Sequence, residues 1–225
     1  MFQGFSPEAV SFLWDLRFHN ERTRFLEHKD AFLQLVDTPM RELAQQTTQV
    51  MQEEFPDLKL EHKVSRIQRD ARRLHGRGPY KDHLWFSIRR PGSQDSATPC
   101  LYFELAPEYY SFGMGCYDSS PLMMAKLRAR IDHDPKPMEK LALRLQTRPE
   151  YTFFGELYKR PKGDPRPLLY PWYNLKKIGI GADFNCEGIL FTPQLAAQVL
   201  DGFRFLMPFY QYFRELPGDP SPVSY

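Results

Sequence analysis

This chain has almost no surplus charge, few cysteines and no long apolar run, and each shortage closes off a class of function. Lys plus Arg number 30 and Asp plus Glu number 28, a net charge of +2. A nucleic-acid binder held by bulk electrostatics carries a larger positive excess, so anion recognition here has to be local. No stretch approaches the roughly 20 apolar residues that span a bilayer, and no membrane partner is expected. The start, MFQGFSPEAV, has neither a basic end nor an apolar run and does not read as a signal peptide. Cys100, Cys116 and Cys186 are odd in number and far apart, which supports neither a disulfide framework nor a zinc pattern. The expected compartment is the cytoplasm, with the thiols as buried free cysteines. The histidines form no H-x-H or H-x-x-x-H pair, so no metal or cofactor is expected. The G-x-S-x-G elbow and the dinucleotide fingerprint are missing as well.

What the chain does have is aromatic mass. Rings make up 15% of residues and let a chain of mean hydropathy −0.54 still build a core. Ser6-Pro7-Glu8 reads as a helix start, with Ser as cap and Pro in the first turn. Asn20 can cap a second helix, and Thr38-Pro39 opens a third that runs to about Glu53. Residues 64–69, 84–89, 101–105, 109–117, 151–157 and 178–184 read as strands. Between them, Ser120-Pro121 and Pro135-x-Pro137 start helices. Thr192-Pro193 opens a last helix, with a kink or an interruption expected at Pro208. The fold class is α+β: a central, mainly antiparallel sheet flanked by N-terminal and C-terminal helices. Residues 1–216 are expected as a single domain and 217–225 as a disordered tail.

The charge that is present is concentrated. RIQRDARRLHGRGPYKDH, residues 66–83, has ten Arg, Lys, His or Asp side chains in eighteen, eight of them Arg, Lys or His. Continued as a strand, Arg66, Asp70 and Arg72 share one face, and Ile67, Arg69 and Ala71 share the other. Arg69 then faces the core and needs a carboxylate or an anionic ligand. The arginines form one pocket only if the strand bulges or ends near Asp70. In the functional reading Arg66, Arg69 and Arg72 are forks, Lys81 is a point charge, and Tyr80 is a donor or stacking wall. The plainer reading is a solvated basic edge strand.

Four further groups bear on this stretch. KRPKGDPRP, residues 159–167, is a stiff basic loop, either a surface loop or a pocket wall. Gly113 and Gly115 lie on one side of a strand, where a ring or a backbone can approach closely. Glu104 and Glu156 sit within strands, where a carboxylate is an arginine partner or a general acid/base; the favoured reading is a salt bridge with Arg66 or Arg69. His19 has a general base's chemistry, but no Ser or Cys nucleophile accompanies it.

F-x-G-F-S-P-E, L-R-F-H-N-E-R-T-R-F, S-R-I-Q-R-D-A-R, G-P-Y-K, G-M-G-x-Y and K-R-P-K-G follow one another between Phe2 and about Lys177. In this order they resemble the conserved hypothetical family called domain of unknown function 2461. Asn20, Arg22, Arg66, Arg69, Asp70, Arg72, Pro79, Tyr80 and Lys81 match its pattern. His19 stands where the family has a first asparagine, and Arg24 where it has a tryptophan before Phe25. Arg73-Leu74 replaces a Phe-Ser pair. The resemblance carries no activity, but it favours the basic stretch as a site.

The expectation is therefore a pocket for a small anionic ligand, phosphorylated or nucleotide-like, with no reaction assigned. Asn20, Arg22, Arg66, Arg69, Arg72, Tyr80 and Lys81 would bind the anion. Glu104, Gly113, Gly115 and Tyr117 would line the pocket. The alternatives are a single-stranded nucleic-acid module, in which aromatics alternate with basic residues, and a non-catalytic interaction protein in which arginines knit helices to sheet.

Overall fold

Ser6 starts the first helix: its Oγ accepts the Ala9 N–H at 3.3 Å, and α1 runs Pro7–Phe18. In chain order follow α2 (Arg22–Glu27), α3 (Lys29–Phe32), a π-turn (Leu33–Asp37), α4 (Thr38–Glu54), β1 (Glu61–Val64), β2 (Leu84–Arg89), β3 (Cys100–Leu105) and β4 (Tyr109–Gly115). Then come α5 (Pro121–His133), α6 (Lys136–Gln146), β5 (Thr152–Phe153), α7 (Tyr170–Asn174), β6 (Gly179–Asn185) and α8 (Leu195–Arg214). The computed structural model describes residues 1–74, 76–91, 98–116 and 119–222. The six strands form one antiparallel sheet in the order β1-β2-β3-β4-β6-β5, so the fold is α+β.

The chain divides into two compact units. The first comprises Met1–Pro91, Tyr102–Phe112 and Asp183–Gly202. In it β1 and β2 pair from Glu61↔Arg89 to Val64↔Phe86. Phe103 stacks on Phe5 at 6.0 Å and on Phe86 at 5.7 Å. Gly4, at φ 107°, passes so close to the Phe191 backbone that a Cβ would lie 2.6 Å from its carbonyl carbon. The buried face of α4 includes Thr47 and Thr48, whose hydroxyls donate back to the Leu43 and Ala44 carbonyls.

The second unit comprises Gly92–Leu101, Gly113–Ala182 and Phe203–Tyr225. Ser120 caps α5 by accepting the Met123 N–H at 3.1 Å. Trp172 is the centre of the core, with Phe153 at 4.5 Å and Phe209 at 5.9 Å. α8 continues through Pro208, where the sequence predicts a kink or an interruption. Arg144 Nε donates to the Phe205 carbonyl in the turn before that proline, at 3.0 Å, and gives the carbonyl a side-chain partner. The segment read as a loose tail is tied down at its start. Lys126 Nζ donates to the Pro217 carbonyl at 2.7 Å, and Asp219 takes Arg130 bidentately at 2.5 and 2.6 Å.

Candidate functional site

The basic stretch is not a continuous strand. β1 ends at Val64, and Gln68 pairs antiparallel with Tyr80. Arg69 N–H donates to the Pro79 carbonyl and Lys81 N–H to the Ile67 carbonyl, both at 2.8 Å. Between these rungs the chain turns at Asp70, whose Oδ1 accepts the Arg72 N–H at 3.0 Å. Lys81 thus returns beside Ile67. Ile67 is buried and Arg69 is on the same, inner side. Arg66 is exposed, and Arg72, 89% exposed at its side chain, is held outward by Asp70 at 2.9 Å. Arg72 is therefore separated from Arg69 by the turn.

Asn20 fixes the return. It is not the cap of α2, which follows Glu21 without a side-chain cap bond. Its carboxamide instead clamps the Tyr80 backbone: Nδ2 donates to the carbonyl at 2.9 Å and Oδ1 accepts the N–H at 3.0 Å. A β-rung is imitated by a side chain. Gly78 leaves room for it, since a Cβ there would collide with the Asn20 Cγ and Oδ1. The Tyr80 carbonyl also accepts Arg69 Nε at 2.7 Å. The Tyr80 ring is buried and stacks on Phe25 at 4.0 Å, so it is core and not an open wall.

Asp82 is the carboxylate that Arg69 needs, within the basic stretch itself. Its oxygens meet Arg17 Nε at 2.5 Å, His83 Nδ1 at 3.0 Å and Arg69 Nη2 at 3.7 Å. Burial pushes this carboxyl up, but the hydrogen bonds from His83 and Arg17 outweigh burial and hold it below the usual range. Arg17 also grips Glu108 with both terminal nitrogens, and that bond raises its pKa further. Lys81 has no such partner. Among the described residues its side chain forms no ion pair or hydrogen bond, and its ammonium lies 5.9 Å above the Trp85 ring. Burial first, then repulsion from Arg69, lower its pKa; a pull from Glu104 opposes them and exceeds the smaller repulsion from Arg66.

The remaining expected residues are otherwise engaged. Glu104 accepts the Tyr109 hydroxyl at 2.8 Å and Glu156 pairs with Lys176, so neither is an arginine partner. Arg22 is exposed at the start of α2. In the second unit, a Cβ on Gly115 would lie 2.7 Å from the Phe154 ring, which also covers Gly179. The glycine face accommodates a ring of this chain itself. Gly113 is buried in β4, and Tyr117 lies outside the described residues. His19 is occupied by Asp15 at 2.9 Å, and Arg24, at the family's tryptophan position, holds the same carboxylate at 2.7 Å. Burial pushes the Cys116 thiol up to about 12 and that of Cys186 to about 11, so both stay protonated at neutral pH.

Sequence reasoning missed Arg17, Asp82 and Glu108 as one network. The signal was faint: Asp82 was visible in the stretch, but its partners are 65 residues back and, through Arg17, a further 26 on from Asp82 to Glu108. Shallow hollows lie elsewhere among the described residues. One, of about 340 Å³, lies between Leu145, Tyr151, Leu168 and Trp172 in the second unit; another lies by Tyr110, Asp183, Glu187 and Gln198 in the first. Neither is lined by Arg69 or Lys81.

The chain belongs to the conserved hypothetical protein family DUF2461, whose model matches residues 8–212. No curated protein matches it.

Proposed function

We propose that this protein binds a small anionic ligand, phosphorylated or nucleotide-like, on the 66–83 hairpin, with Lys81 and Arg69 as its principal contacts and Arg66 at the outer edge. One observation carries the reading. Lys81 is a partly buried cation near Arg69 and Arg66, and among the described residues its side chain has no ion pair or hydrogen bond, Glu104 acting on it only at a distance. The contact with the Trp85 ring, at 5.9 Å, leaves the ammonium without a paired counter-charge, whereas an anion placed there relieves both desolvation and repulsion. Arg69 uses Nε on the Tyr80 carbonyl and faces Asp82 only at 3.7 Å. Its terminal nitrogens therefore have donor capacity left for a second oxyanion. Asn20, Gly78 and Tyr80 are positioning residues that hold Lys81 in place.

The test is isothermal titration of inorganic phosphate and of a nucleoside monophosphate into wild type and Lys81→Met. Loss of a charge-assisted contact predicts binding about tenfold weaker or worse, with thermal stability unchanged or higher. Equal affinity for both proteins would sink the proposal.

A second reading, single-stranded nucleic acid, is favoured by one feature. Phe18 is 70% exposed and stacks on Trp14 at 5.7 Å, with the Arg17 guanidinium 5.0 Å from the Trp14 ring centroid. A base can extend such a stack. Oligonucleotide binding that weakens steeply with salt, and with Phe18→Ala, would favour this reading over the small ligand.

A further inference from the structure

The loop after β5 is basic, yet it is built too firmly for a solvated surface loop. Its two ends are zipped: Tyr158 N–H donates to the Asn174 carbonyl and Lys176 N–H to the Glu156 carbonyl, both at 2.9 Å, around the Leu157↔Leu175 bridge. Inside, Asn174 is 1% exposed and spends its whole carboxamide on the loop. Its Oδ1 accepts Lys162 N–H at 2.6 Å, and its Nδ2 donates to the Gly163 and Tyr170 carbonyls at 3.1 Å. Gly163 lies flat against the Tyr173 ring, where a Cβ would come within 2.6 Å of Cε1. The Tyr173 hydroxyl is in turn bonded to Asp132 at 2.9 Å. The effect of all this bracing is to fix the backbone of Lys162.

Lys162 is held over the Tyr158 ring, with Nζ 5.0 Å from the centroid, and Arg128 of α5 reaches the same ring at 5.8 Å. Arg128 Nη1 is buried and has no hydrogen-bond partner among the described residues. Asp132, one turn along α5, accepts the Tyr173 hydroxyl. A buried donor left unpaired costs free energy, and two cations sharing one ring repel each other. A single compact oxyanion relieves both.

We infer that Arg128 and Lys162, over the Tyr158 ring, form a second anion site that takes a phosphoryl group. Arg128 contributes the buried N–H and Lys162 a mobile point charge on a fixed backbone, and Tyr158 forms an apolar floor. The site stands on residues other than Lys81 and does not depend on the function proposed above.

The experiment is a titration of the isotope-labelled full chain with inorganic phosphate, followed through the Gly163 backbone amide and the Asn174 side-chain amide. The expected result is a saturable shift of both signals. Lys162→Met and Arg128→Gln should each weaken it about tenfold or more, the scale of one charge-assisted hydrogen bond. Lys81→Met should leave these two signals unaltered, which separates this site from the first. Absence of any saturable shift overturns the inference, as does an undiminished shift in Lys162→Met. That variant alters an exposed side chain and is expected to fold, so it decides the matter even if Arg128→Gln does not.

Discussion

Replacing Asn20 by serine separates two roles that a sequence cannot tell apart. Serine caps helices about as well as asparagine, so a capping Asn20 would tolerate the change. The clamp would not, because both bonds to the Tyr80 backbone, at 2.9 and 3.0 Å, are lost together. Each is worth about 0.5–1.5 kcal/mol, and the Tyr80 N–H is left partly buried without its acceptor. The Tyr80 carbonyl keeps Arg69. The sum is about 2 kcal/mol, or roughly 4–8 °C in Tm for a chain of this size. Gly78→Ala offers a second handle. Its new methyl would meet the Asn20 carboxamide, so it should destabilise the wild type by about 1–3 kcal/mol through overpacking. In the Asn20→Ser background the obstacle is smaller and the cost of Gly78→Ala should fall by about 1 kcal/mol. Thermal and urea unfolding of the four proteins measures the cycle. An Asn20→Ser variant as stable as wild type, or strictly additive costs, would refute the clamp.

The Asp82 carboxyl, depressed by His83 and Arg17 against the effect of burial, makes a pH prediction. Its contribution to stability is present above the ordinary aspartate pKa, near 4, and is lost as pH falls through the lower folded value. Asp82→Asn should therefore be less stable than wild type at neutral pH, and the gap should close under acid unfolding. Asp219→Ala should cost about 1–3 kcal/mol, read by urea denaturation, because it strips two bonds from a largely buried Arg130 guanidinium. A loose tail would show no effect.

Features written in local chemistry were legible. Ser6 and Ser120 cap where a Ser-Pro pair predicts, and the alternation in 101–105 is the observed β3. Arg69 does lie on the side of Ile67, which parity alone required. What failed was long-range register. Nothing local says that Gln68 pairs with Tyr80, because the intervening turn has no fixed length-to-geometry rule, so Asp82 was not recognised as the arginine's carboxylate. Asn20 failed for a related reason: a cap and a backbone clamp use the same carboxamide, and only the partner 60 residues away distinguishes them. Glu104 and Glu156 show the same limit, since strand position implied Arg66 or Arg69 as a partner for each, but their partners are Tyr109 and Lys176.

The uneven pairing of the cations is what separates scaffold from site. Arg72 has Asp70, Arg17 has Asp82 and Glu108, and Arg24 has Asp15. If the basic stretch served only to knit helices to sheet, its one half-buried ammonium would have a carboxylate partner. Instead Lys81 has none, and burial, Arg69 and Arg66 depress its pKa. A lysine with a lowered folded pKa destabilises the fold wherever the unfolded chain binds the extra proton. Stability should then rise with pH from the depressed value up to the ordinary one near 10.4. Lys81→Met should abolish that slope and match or exceed wild-type stability at neutral pH, while losing the ligand. A residue whose removal helps the fold and harms binding is a functional residue, and stability against pH for the two proteins measures it. Should Lys81→Met prove clearly less stable than wild type at neutral pH, the lysine belongs to the scaffold and the anion has to be sought elsewhere.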